Sequence, residues 1–406
     1  MRYIAKPSDQ YLGSGSQRSI RSGAMRIQTS QAALQHGLGV VSRAVAARHS
    51  LDQLRHVHLE ADDDGVRLTA TDTEIAMICS IDAVVSEPGA ITIPHRFIND
   101  LVSALSSSEI TIDVAENSLV AQIRASDANE SSINGMSPTT YPNIPGIGEG
   151  DWIKIVARDL RDALRHVVFA AATDDGRPVL TGVHFRFEGD KMTLAAADGF
   201  RLAVYDMNVA SELSERLEIT VPARALTELE RLLTDDDSAV EMYIHADRTY
   251  VRFHVRAVQM TAQLIQGNYP SYDQLIPSEY QTRAILPGAV LQGGVRSAAV
   301  FARESSGIIR LIFNGESDDQ NITLTARAEE LGNHRGRVDA AIEGENSRIA
   351  YNVRYLQDVL QVASGPTVSE IAMETSGPSN PGVFRVVGRD NYVHVLMPMF
   401  VQWEDA

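Results

Sequence analysis

The residues of this sequence that could do chemistry include two acids, Asp72 and Glu74, which stand where a strand pattern ends. Two carboxylates this close together could share a metal ion or act as a general acid and a general base. A second acidic group, Asp174 and Asp175 followed by Gly176, begins like a metal-binding loop. It lacks the later ligands of such a loop, so a turn is the preferred interpretation. An enzyme that uses the Asp72 and Glu74 carboxylates remains one hypothesis for this chain.

The other reactive side chains favour structural roles. Cys79 lies inside an apolar strand pattern, where a thiol packs as a small apolar group rather than acting as a nucleophile. His56 and His58 alternate along one strand pattern and His184 lies in another, so packed or solvated imidazoles are expected. The sequence lacks the phosphate-binding Gly-x-x-x-x-Gly-Lys pattern and the His-Glu-x-x-His and Cys-x-x-Cys metal patterns. We therefore expect no catalytic residue, no metal site and no cofactor.

Length and composition indicate a soluble, acidic chain with more than one domain. Its 406 residues exceed what one ordinary core organises, and its formal net charge is −17. Lysine occurs only at Lys6, Lys154 and Lys191, so nearly all of the positive charge is arginine. The single cysteine cannot form an internal disulfide, which fits a reducing, cytoplasmic setting. No apolar run is long enough to span a membrane.

Residues 1–24 differ in composition from the rest of the chain. They are rich in Ser, Gly and Arg, show no apolar periodicity, and lack the apolar core of a secretory signal. A disordered tail and an upstream start codon wrongly chosen are equally open interpretations, and a basic tail that touches DNA is a less favoured one. The globular pattern begins at Met25.

One amphipathic helix pattern occurs three times at a nearly constant spacing. The copies begin at Pro94, Pro222 and Asn352, which lie 128 and 130 positions apart. In each copy apolar residues recur at i, i+3, i+4 and i+7, which is the stripe of a half-buried helix. Proline suits the first turn of a helix because the backbone N–H there has no partner to lose.

Other markers keep the same interval. Strand patterns end at Asp72, Asp198 and Ala328, and Pro-rich connectors begin at Tyr141 and Tyr269. An earlier helix is predicted in each copy, over residues 30–47, 157–172 and 288–302. Each repeat therefore reads strand, helix, several strands, helix, several strands. We predict an α+β chain of three domains, each with two helices packed on antiparallel sheets, over residues 25–145, 146–277 and 278–406.

The arginines concentrate on the predicted helices, whereas acidic runs fall in predicted turns such as residues 62–64 and 235–237. The segregation is partial, because Asp100 and Glu228 also lie on helices. If all the helices faced one way, that wall would be relatively positive and could hold phosphates without reading bases. Ordinary solvated helix faces are the alternative interpretation.

Four segments together resemble one known family. The hairpin pattern Ala-Ala-Asp-Gly-Phe-Arg-Leu-Ala-Val, which begins at Ala196, resembles the Thr-Asp-Gly-His-Arg-Leu-Ala segment of the bacterial DNA polymerase III β subunits, the β sliding clamps. The Tyr-Pro-Ser-Tyr at Tyr269 is similar to their Phe-Pro-Asp-Tyr connector. The helix pattern that follows Asn352 resembles their Phe-Asn-Val-x-Tyr-Leu-x-Asp-Val-Leu helix, and the Met-Pro-Met at Met397 resembles their terminus.

The resemblance implies three tandem copies of the DNA-clamp fold and a head-to-tail homodimer, which forms a six-domain ring around duplex DNA. Helices would line the hole and sheets would form the outside. The ring would tether the replicative polymerase, meet the clamp loader through short linear peptides, and have no catalysis of its own. The alternative is a clamp-fold scaffold that binds peptides but does not stably encircle DNA.

The resemblance also implies site residues, position by position. A peptide-binding groove between the second and third domains would contain Leu180, Ala197, Gly199, Phe200, Arg201, Leu202, Pro270, Leu275, Asn352, Tyr355, Val395, Leu396, Met397, Pro398 and Met399. The DNA-facing residues would be Arg48, Arg177, Arg224 and Arg303. Val300 and Phe301 would lie at the dimer contact.

Three features depart from the family pattern. Phe200 stands where the family has histidine, which would enlarge the apolar pocket or change its peptide preference. The chain runs past Met399 by the seven residues Phe-Val-Gln-Trp-Glu-Asp-Ala. The expected partner strand in the first domain, residues 129–136, is polar for a dimer edge.

Overall fold

The computed structural model of the chain describes residues 24–106, 108–126, 129–174, 176–211, 213, 215–364 and 370–403. The segment predicted as a tail, residues 1–24, lies outside this range except for Ala24, and so do Asp175 and the last three residues.

Six α helices and 27 strands are formed within the described residues. The helices are α1 (Gln31–Val41), α2 (His95–Ala104), α3 (Ala157–Val167), α4 (Ala223–Leu232), α5 (Gly288–Arg303) and α6 (Val353–Ala363). The strands of the first third are β1 (Met25–Ser30), β2 (His56–Asp62), β3 (Gly65–Thr71), β4 (Ile75–Ile81), β5 (Ala83–Glu87), β6 (Gly89–Pro94), β7 (Glu109–Val114), β8 (Val120–Ser126) and β9 (Asn129–Asn134). Those of the second are β10 (Gly150–Val156), β11 (Gly182–Glu188), β12 (Lys191–Ala197), β13 (Arg201–Asn208), β14 (Ala210–Ser211), β15 (Leu217–Pro222), β16 (Ala239–His245), β17 (Tyr250–Val255) and β18 (Val258–Gln263). Those of the third are β19 (Thr282–Pro287), β20 (Ile308–Asn314), β21 (Asn321–Ala328), β22 (Gly332–Asp339), β23 (Ala341–Gly344), β24 (Ser347–Asn352), β25 (Glu370–Thr375), β26 (Gly382–Val386) and β27 (Tyr392–Leu396).

The same order of elements occurs three times along the chain. Each repeat has one strand, a helix, five strands, a second helix and three strands. The predicted α+β repeat is therefore confirmed. Two predicted helices are shorter than expected, because α1 and α3 tighten into the 3₁₀ turns Ser42–Ala44 and Val168–Ala170 at their ends. The strand expected from Val179 begins at Gly182, because Pro178–Thr181 forms a 3₁₀ turn with proline at its start.

Spatial contacts divide the chain into two compact units rather than three. One unit is Met1–Ile153 with Ala239–Gln263, and the other is Lys154–Ser238 with Leu264–Ala406. The division cuts through the second repeat because strands pair across repeats: β18 pairs with β4, and β27 pairs with β13. The β4–β18 pairing therefore lies within the first unit, and the β13–β27 pairing lies within the second.

The first unit contains two antiparallel sheets. One has the spatial order β5-β1-β7-β8-β9, and the other includes β16-β17-β18-β4-β3-β2-β6. Helix α1 begins at Ser30, whose hydroxyl accepts the Ala33 N–H at 3.0 Å, and so satisfies one free donor of the first turn. It buries Leu34 and Leu38 against the sheets, and α2 packs beside it.

The second unit contains the sheets β15-β11-β12-β13-β27-β26-β25-β19-β23 and β22-β21-β20-β24. Helix α3 packs on β13 and contacts α4 and α6, while α5 packs on β21 and β22 and contacts α6. The large buried side chains Phe185, Phe313 and Phe384 fill its core. This unit holds every residue that the resemblance assigns to the peptide groove.

Candidate functional site

The turn between β12 and β13 is fixed by its own side chains. The Asp198 carboxylate accepts the backbone N–H groups of Phe200 at 2.9 Å and Arg201 at 3.0 Å. Gly199 between them has φ +92°, a conformation that glycine adopts without steric cost. The turn therefore presents the Phe200 ring outward, 57 % exposed, while the next side chain, Arg201, points into the protein.

Arg201 joins three separate elements through its guanidinium. Its Nε donates to Asp198 at 3.0 Å, its Nη1 to Asp358 of α6 at 2.6 Å, and its Nη2 to the Phe169 carbonyl at 2.6 Å. The side chain is only 8 % exposed, so these charge-assisted bonds act in a low-dielectric environment. Arg201 thus holds the hairpin turn, α6 and the end of α3 in one arrangement.

Aromatic rings cover this arginine. Its guanidinium carbon lies 4.5 Å from the Tyr355 ring centroid and 5.3 Å from that of Phe169. Phe200 stacks on the outer face of Tyr355, with centroids 6.2 Å apart and planes 23° apart. We call the exposed part of this assembly, Phe200 and Tyr355 with the neighbouring Met397, the aromatic rim.

An apolar cluster, which we call the floor, is formed by β12, β13, β27 and the segment between β18 and β19. It consists of Ala195, Leu202, Val204, Tyr272 and Val395, with Ala197, Tyr269, Ile276 and Val393 packed against it. Val395 faces Leu202 in the register of β13 and β27, so the floor crosses the strand pairing that joins the second and third repeats. Leu275, in the 3₁₀ turn Asp273–Leu275 beside the floor, is 56 % exposed.

The C-terminal segment continues past β27 along the third repeat. Met397 donates its N–H to the Phe200 carbonyl at 2.8 Å, and Met399 donates to the Ala350 carbonyl at 2.7 Å. Four residues later Trp403 lies against the Arg348 guanidinium, 5.0 Å from the ring centroid. The segment therefore follows the open edge of β24, and Phe400 within it is exposed.

The remaining groove residues of the sequence prediction occupy different depths. Asn352 caps α6 by accepting the Arg354 N–H at 2.9 Å, and Pro270 is exposed on the connector. Pro398 is partly exposed, whereas Leu180 and Leu396 are buried. Leu396 is completely covered, so its side chain supports the sheet from behind.

Sequence reasoning did not identify the three groups that accept hydrogen bonds from Arg201. Asp198 carried a local signal, because an Asp side chain can accept the backbone N–H groups two and three residues later and so form a turn. Asp358 and Phe169 carried none, because they lie far from Arg201 in sequence.

The arginines proposed to face DNA are all exposed. Arg48 lies in the loop after α1, Arg224 on α4, and Arg303 at the end of α5, where it donates to Gln357 at 2.7 Å. Arg177 donates to the Asp198 carbonyl at 3.1 Å, so it lies beside the aromatic rim.

Acidic partners neutralise other helix arginines. Arg165 pairs with Glu230 at 2.9 Å, and Arg231 pairs with Glu228 at 2.7 Å. The helix faces are therefore less positive than their arginine content suggests.

The residues proposed for the dimer contact lie at the end of α5. Val300 is 64 % exposed, and the partly exposed Phe301 stacks on His334 of β22 with centroids 5.8 Å apart. Leu331, in the turn before β22, is 70 % exposed. An apolar surface therefore borders the β22 edge.

The two acids that suggested an enzyme form a turn. Asp72 accepts the N–H groups of Glu74 at 3.1 Å and Ile75 at 2.9 Å, as Asp198 does in the second repeat. Asp174 likewise accepts the Gly176 N–H at 3.0 Å. In the part of the chain that the structure describes, no group of three or more His, Cys, Asp or Glu side chains is arranged to hold a metal ion. None of the helices described there is both long and apolar enough to cross a membrane.

Cys79 and the strand histidines are packed groups. Burial raises the pKa of the Cys79 thiol to about 11, which disfavours the nucleophilic thiolate. His58 stacks on Tyr141 at 5.3 Å and His184 stacks on Tyr269 at 4.9 Å, so each anchors one predicted connector. Burial lowers the pKa of His58 to about 4 and also lowers that of His184.

A polar pocket of about 370 Å³ was not anticipated from the sequence. Its lining includes Lys191, Tyr205, Asp206 and Asn391, at the end of the β12–β13 hairpin away from the turn. Within the pocket Lys191 pairs with Asp206 at 2.9 Å, and the lining residue Asp159 pairs with Arg158 at 3.5 Å.

Family models match almost the whole described chain. The N-terminal domain of the DNA polymerase III beta subunit matches residues 25–145, the central domain residues 154–271, and the C-terminal domain residues 273–400. The chain belongs to the DNA polymerase III beta subunit family.

Individual relatives agree with this assignment. The beta sliding clamp of Synechocystis sp. is 31 % identical over 393 residues, a match that covers 92 % of this chain and 99 % of the relative. The beta sliding clamp of Bacillus subtilis is 28 % identical, over 88 % of this chain and 95 % of its own. The crystal structure of the DNA polymerase sliding clamp from Bacillus subtilis superposes with a TM-score of 0.87 at 27 % identity, and covers 93 % of this chain and 100 % of that one. A sliding clamp from Pseudomonas aeruginosa bound to griselimycin has a TM-score of 0.85 at 25 % identity, with coverage of 93 % and 100 %.

Proposed function

We propose that this chain is a DNA polymerase processivity factor, a homodimeric ring that encircles duplex DNA and tethers the replicative polymerase. The observation that carries the proposal is the match of all three clamp domains, in order, to three successive repeats of one element pattern. The proposed domains are residues 25–145, 146–277 and 278–406, after a tail at residues 1–24. The proposed role needs no catalytic group, metal or cofactor, and we place it in the cytoplasm.

The aromatic rim and the floor together form the proposed docking site for polymerase and clamp-loader peptides. Three apolar side chains of this region, Phe200, Leu275 and Met397, are each 44–57 % exposed, which is costly unless a partner covers them. Arg201 holds the surrounding elements in place before binding, which reduces the ordering cost that a partner must pay. A short linear peptide with large apolar side chains fits this chemistry.

The contact with DNA is proposed to be electrostatic and independent of sequence. The exposed Arg48, Arg177, Arg224 and Arg303 would meet phosphates rather than bases. The overall charge of −17 and the internal ion pairs on the helices keep this attraction weak, which suits a ring that slides.

A topological experiment tests this function. The purified chain, loaded onto nicked circular DNA by its clamp loader, is expected to stay bound through gel filtration and to be released once the circle is cut. Equal retention on circular and linear DNA would refute encirclement. The native mass is measured in parallel: a dimer is expected, and a monomer at micromolar concentration that still binds peptides would favour the scaffold alternative.

A further inference from the structure

After its last strand, each repeat crosses to the same place on the strand before its second helix. Three backbone hydrogen bonds to carbonyl groups mark the crossings: Met136 to Thr92 and Ile265 to Thr220 at 2.9 Å, and Met399 to Ala350 at 2.7 Å. The three acceptors are equivalent, because each lies opposite the third residue of the strand that follows the 3₁₀ turn or loop after the first helix, namely His58, His184 and Arg310. The segments that continue from these crossings are therefore equivalent as well.

In the first two repeats an aromatic ring fixes the segment after the crossing. Tyr269 comes four residues after its crossing, and Tyr141 comes five after its own, with the 3₁₀ turn Pro138–Thr140 between. Each ring stacks on the histidine at the equivalent strand position, with centroids 5.3 Å apart at His58 and 4.9 Å apart at His184. A ring on this strand face thus holds each connector against its sheet.

The third repeat has the same device with other side chains. Trp403 comes four residues after Met399, and its ring centroid lies 5.0 Å from the guanidinium carbon of Arg348. Arg348 precedes Ala350 by two residues on β24, so it shares a strand face with Ala350 and with Arg310 opposite. Arginine therefore takes the place of histidine on this face. Tryptophan, the aromatic side chain that attracts a cation most strongly, takes the place of tyrosine.

Burial along the segment after β27 agrees with such an anchor. The side chains of Met399, Val401 and Trp403 are half-buried, whereas those of Phe400 and Gln402 are exposed. This alternation is that of an extended chain with one face against the protein. The segment is therefore held at two places, by the hydrogen bond of Met399 and by the ring of Trp403.

We propose that Trp403 is a positioning residue for the peptide-binding groove, because its contact with Arg348 holds the segment 397–399 where a partner peptide meets it. Met397 belongs to the aromatic rim and donates to the Phe200 carbonyl at 2.8 Å, so the hairpin turn fixes one end of this segment and Trp403 the other. A segment ordered before binding costs the partner less entropy. The inference rests on the proposed docking function and adds a residue outside the groove that the resemblance did not assign.

Four variants of the full chain, titrated with a fluorescein-labelled peptide rich in leucine and phenylalanine, test this role. Trp403→Ala should weaken binding about 5- to 10-fold, and Arg348→Ala about 2- to 5-fold, because the second change leaves the ring in place. Trp403→Tyr should bind within about twofold of the wild type, because tyrosine serves in the other two repeats. Gln402→Ala is the matched control, since this neighbour is exposed. Equal affinities of Trp403→Ala and Gln402→Ala would overturn the proposal, and so would a tyrosine variant as weak as the alanine variant.

Hydrogen exchange separates positioning from a general loss of stability. In Trp403→Ala the Met397 and Met399 amides should exchange about tenfold faster, while the Arg201 amide in the facing hairpin should keep its rate. Faster exchange at all three amides would indicate general destabilisation and would contradict a positioning role. Unchanged exchange at Met399 would show that Trp403 does not hold the segment.

Fluorescence tests the contact with Arg348 directly. The sequence has two tryptophans, so Trp403 is the only one left in a Trp152→Phe background. Arg348→Ala in this background should increase the quenching of Trp403 by acrylamide, and unchanged quenching would refute the contact. A wild-type chain that binds no such peptide would refute the proposed docking site and with it the role of Trp403 in binding, whereas exchange and quenching would still decide whether Trp403 anchors the segment.

Discussion

Replacing Arg201 by methionine should destabilise the second unit more than any exposed arginine substitution nearby. The change keeps the aliphatic stem but removes donors to Asp198, Asp358 and the Phe169 carbonyl. Breaking a buried ion pair by removing one partner costs roughly 3–5 kcal/mol. The lower end applies here, because Asp358 is 41 % exposed and Asp198 retains two backbone donors. We expect a loss of about 3 kcal/mol.

The assay is chemical denaturation of the full chain, followed by hydrogen exchange of the Phe200 and Arg201 amides. Arg177→Met is the matched control, because Arg177 is exposed and makes one bond to the same turn, so its loss should cost less than about 1 kcal/mol. Arg201→Lys should fall between the two, since an ammonium cannot reach all three acceptors. If the free energies of unfolding of the Arg201→Met and Arg177→Met variants differ by less than about 0.5 kcal/mol, the Arg201 guanidinium does not hold these elements together.

Three other perturbations address the rim, the C-terminal segment and a buried imidazole. Phe200→Ala should lower the affinity for an apolar peptide about tenfold by calorimetry while changing stability by less than about 1 kcal/mol, because the ring is mostly exposed; unchanged affinity would exclude it from the site. Deleting residues 397–406 should abolish peptide binding but leave the native dimer mass intact; retained affinity would argue against the assigned groove. Burial lowers the pKa of His394 from the usual 6.5 to about 3, so below pH 6.5 the unfolded chain binds a proton that the folded chain does not, and stability falls as the pH drops. At pH 5 this costs about 2 kcal/mol, and His394→Phe should flatten the dependence of the denaturation midpoint on pH between 6.5 and 5; an equally steep curve would assign the acid sensitivity elsewhere.

Local signals predicted much of the fold. The amphipathic stripes after Pro94, Pro222 and Asn352 placed the second helix of each repeat to within a few residues, because helix periodicity is a property of adjacent residues. The Asp-Gly signal placed the β12–β13 turn for the same reason. The assignment of groove residues came from resemblance, and remains a prediction that the proposed experiments address.

Features made by distant partners could not be found in this way. No residue near Arg201 in the sequence indicates that its guanidinium donates to the carboxylate of Asp358, which lies 157 positions later. Nor does any local pattern reveal that β18 pairs with β4 rather than with a strand of its own repeat. Side-chain alternation shows that a strand has a buried face, but it does not show which strand lies beside it.

The pairing of strands from different repeats also constrains how the chain can fold during its synthesis. Strand β4 leaves the ribosome early, yet its partner β18 begins only at Val258, and β13 must wait for β27 at Tyr392. Until then the first and second repeats have an unpaired edge at β4 and β13, and pairings this distant in sequence form slowly. At about 5–20 residues per second, β4 waits roughly 10–35 seconds for its neighbour. A nascent chain with exposed edges for that long is a natural client for chaperones, and slower translation should raise its tendency to aggregate.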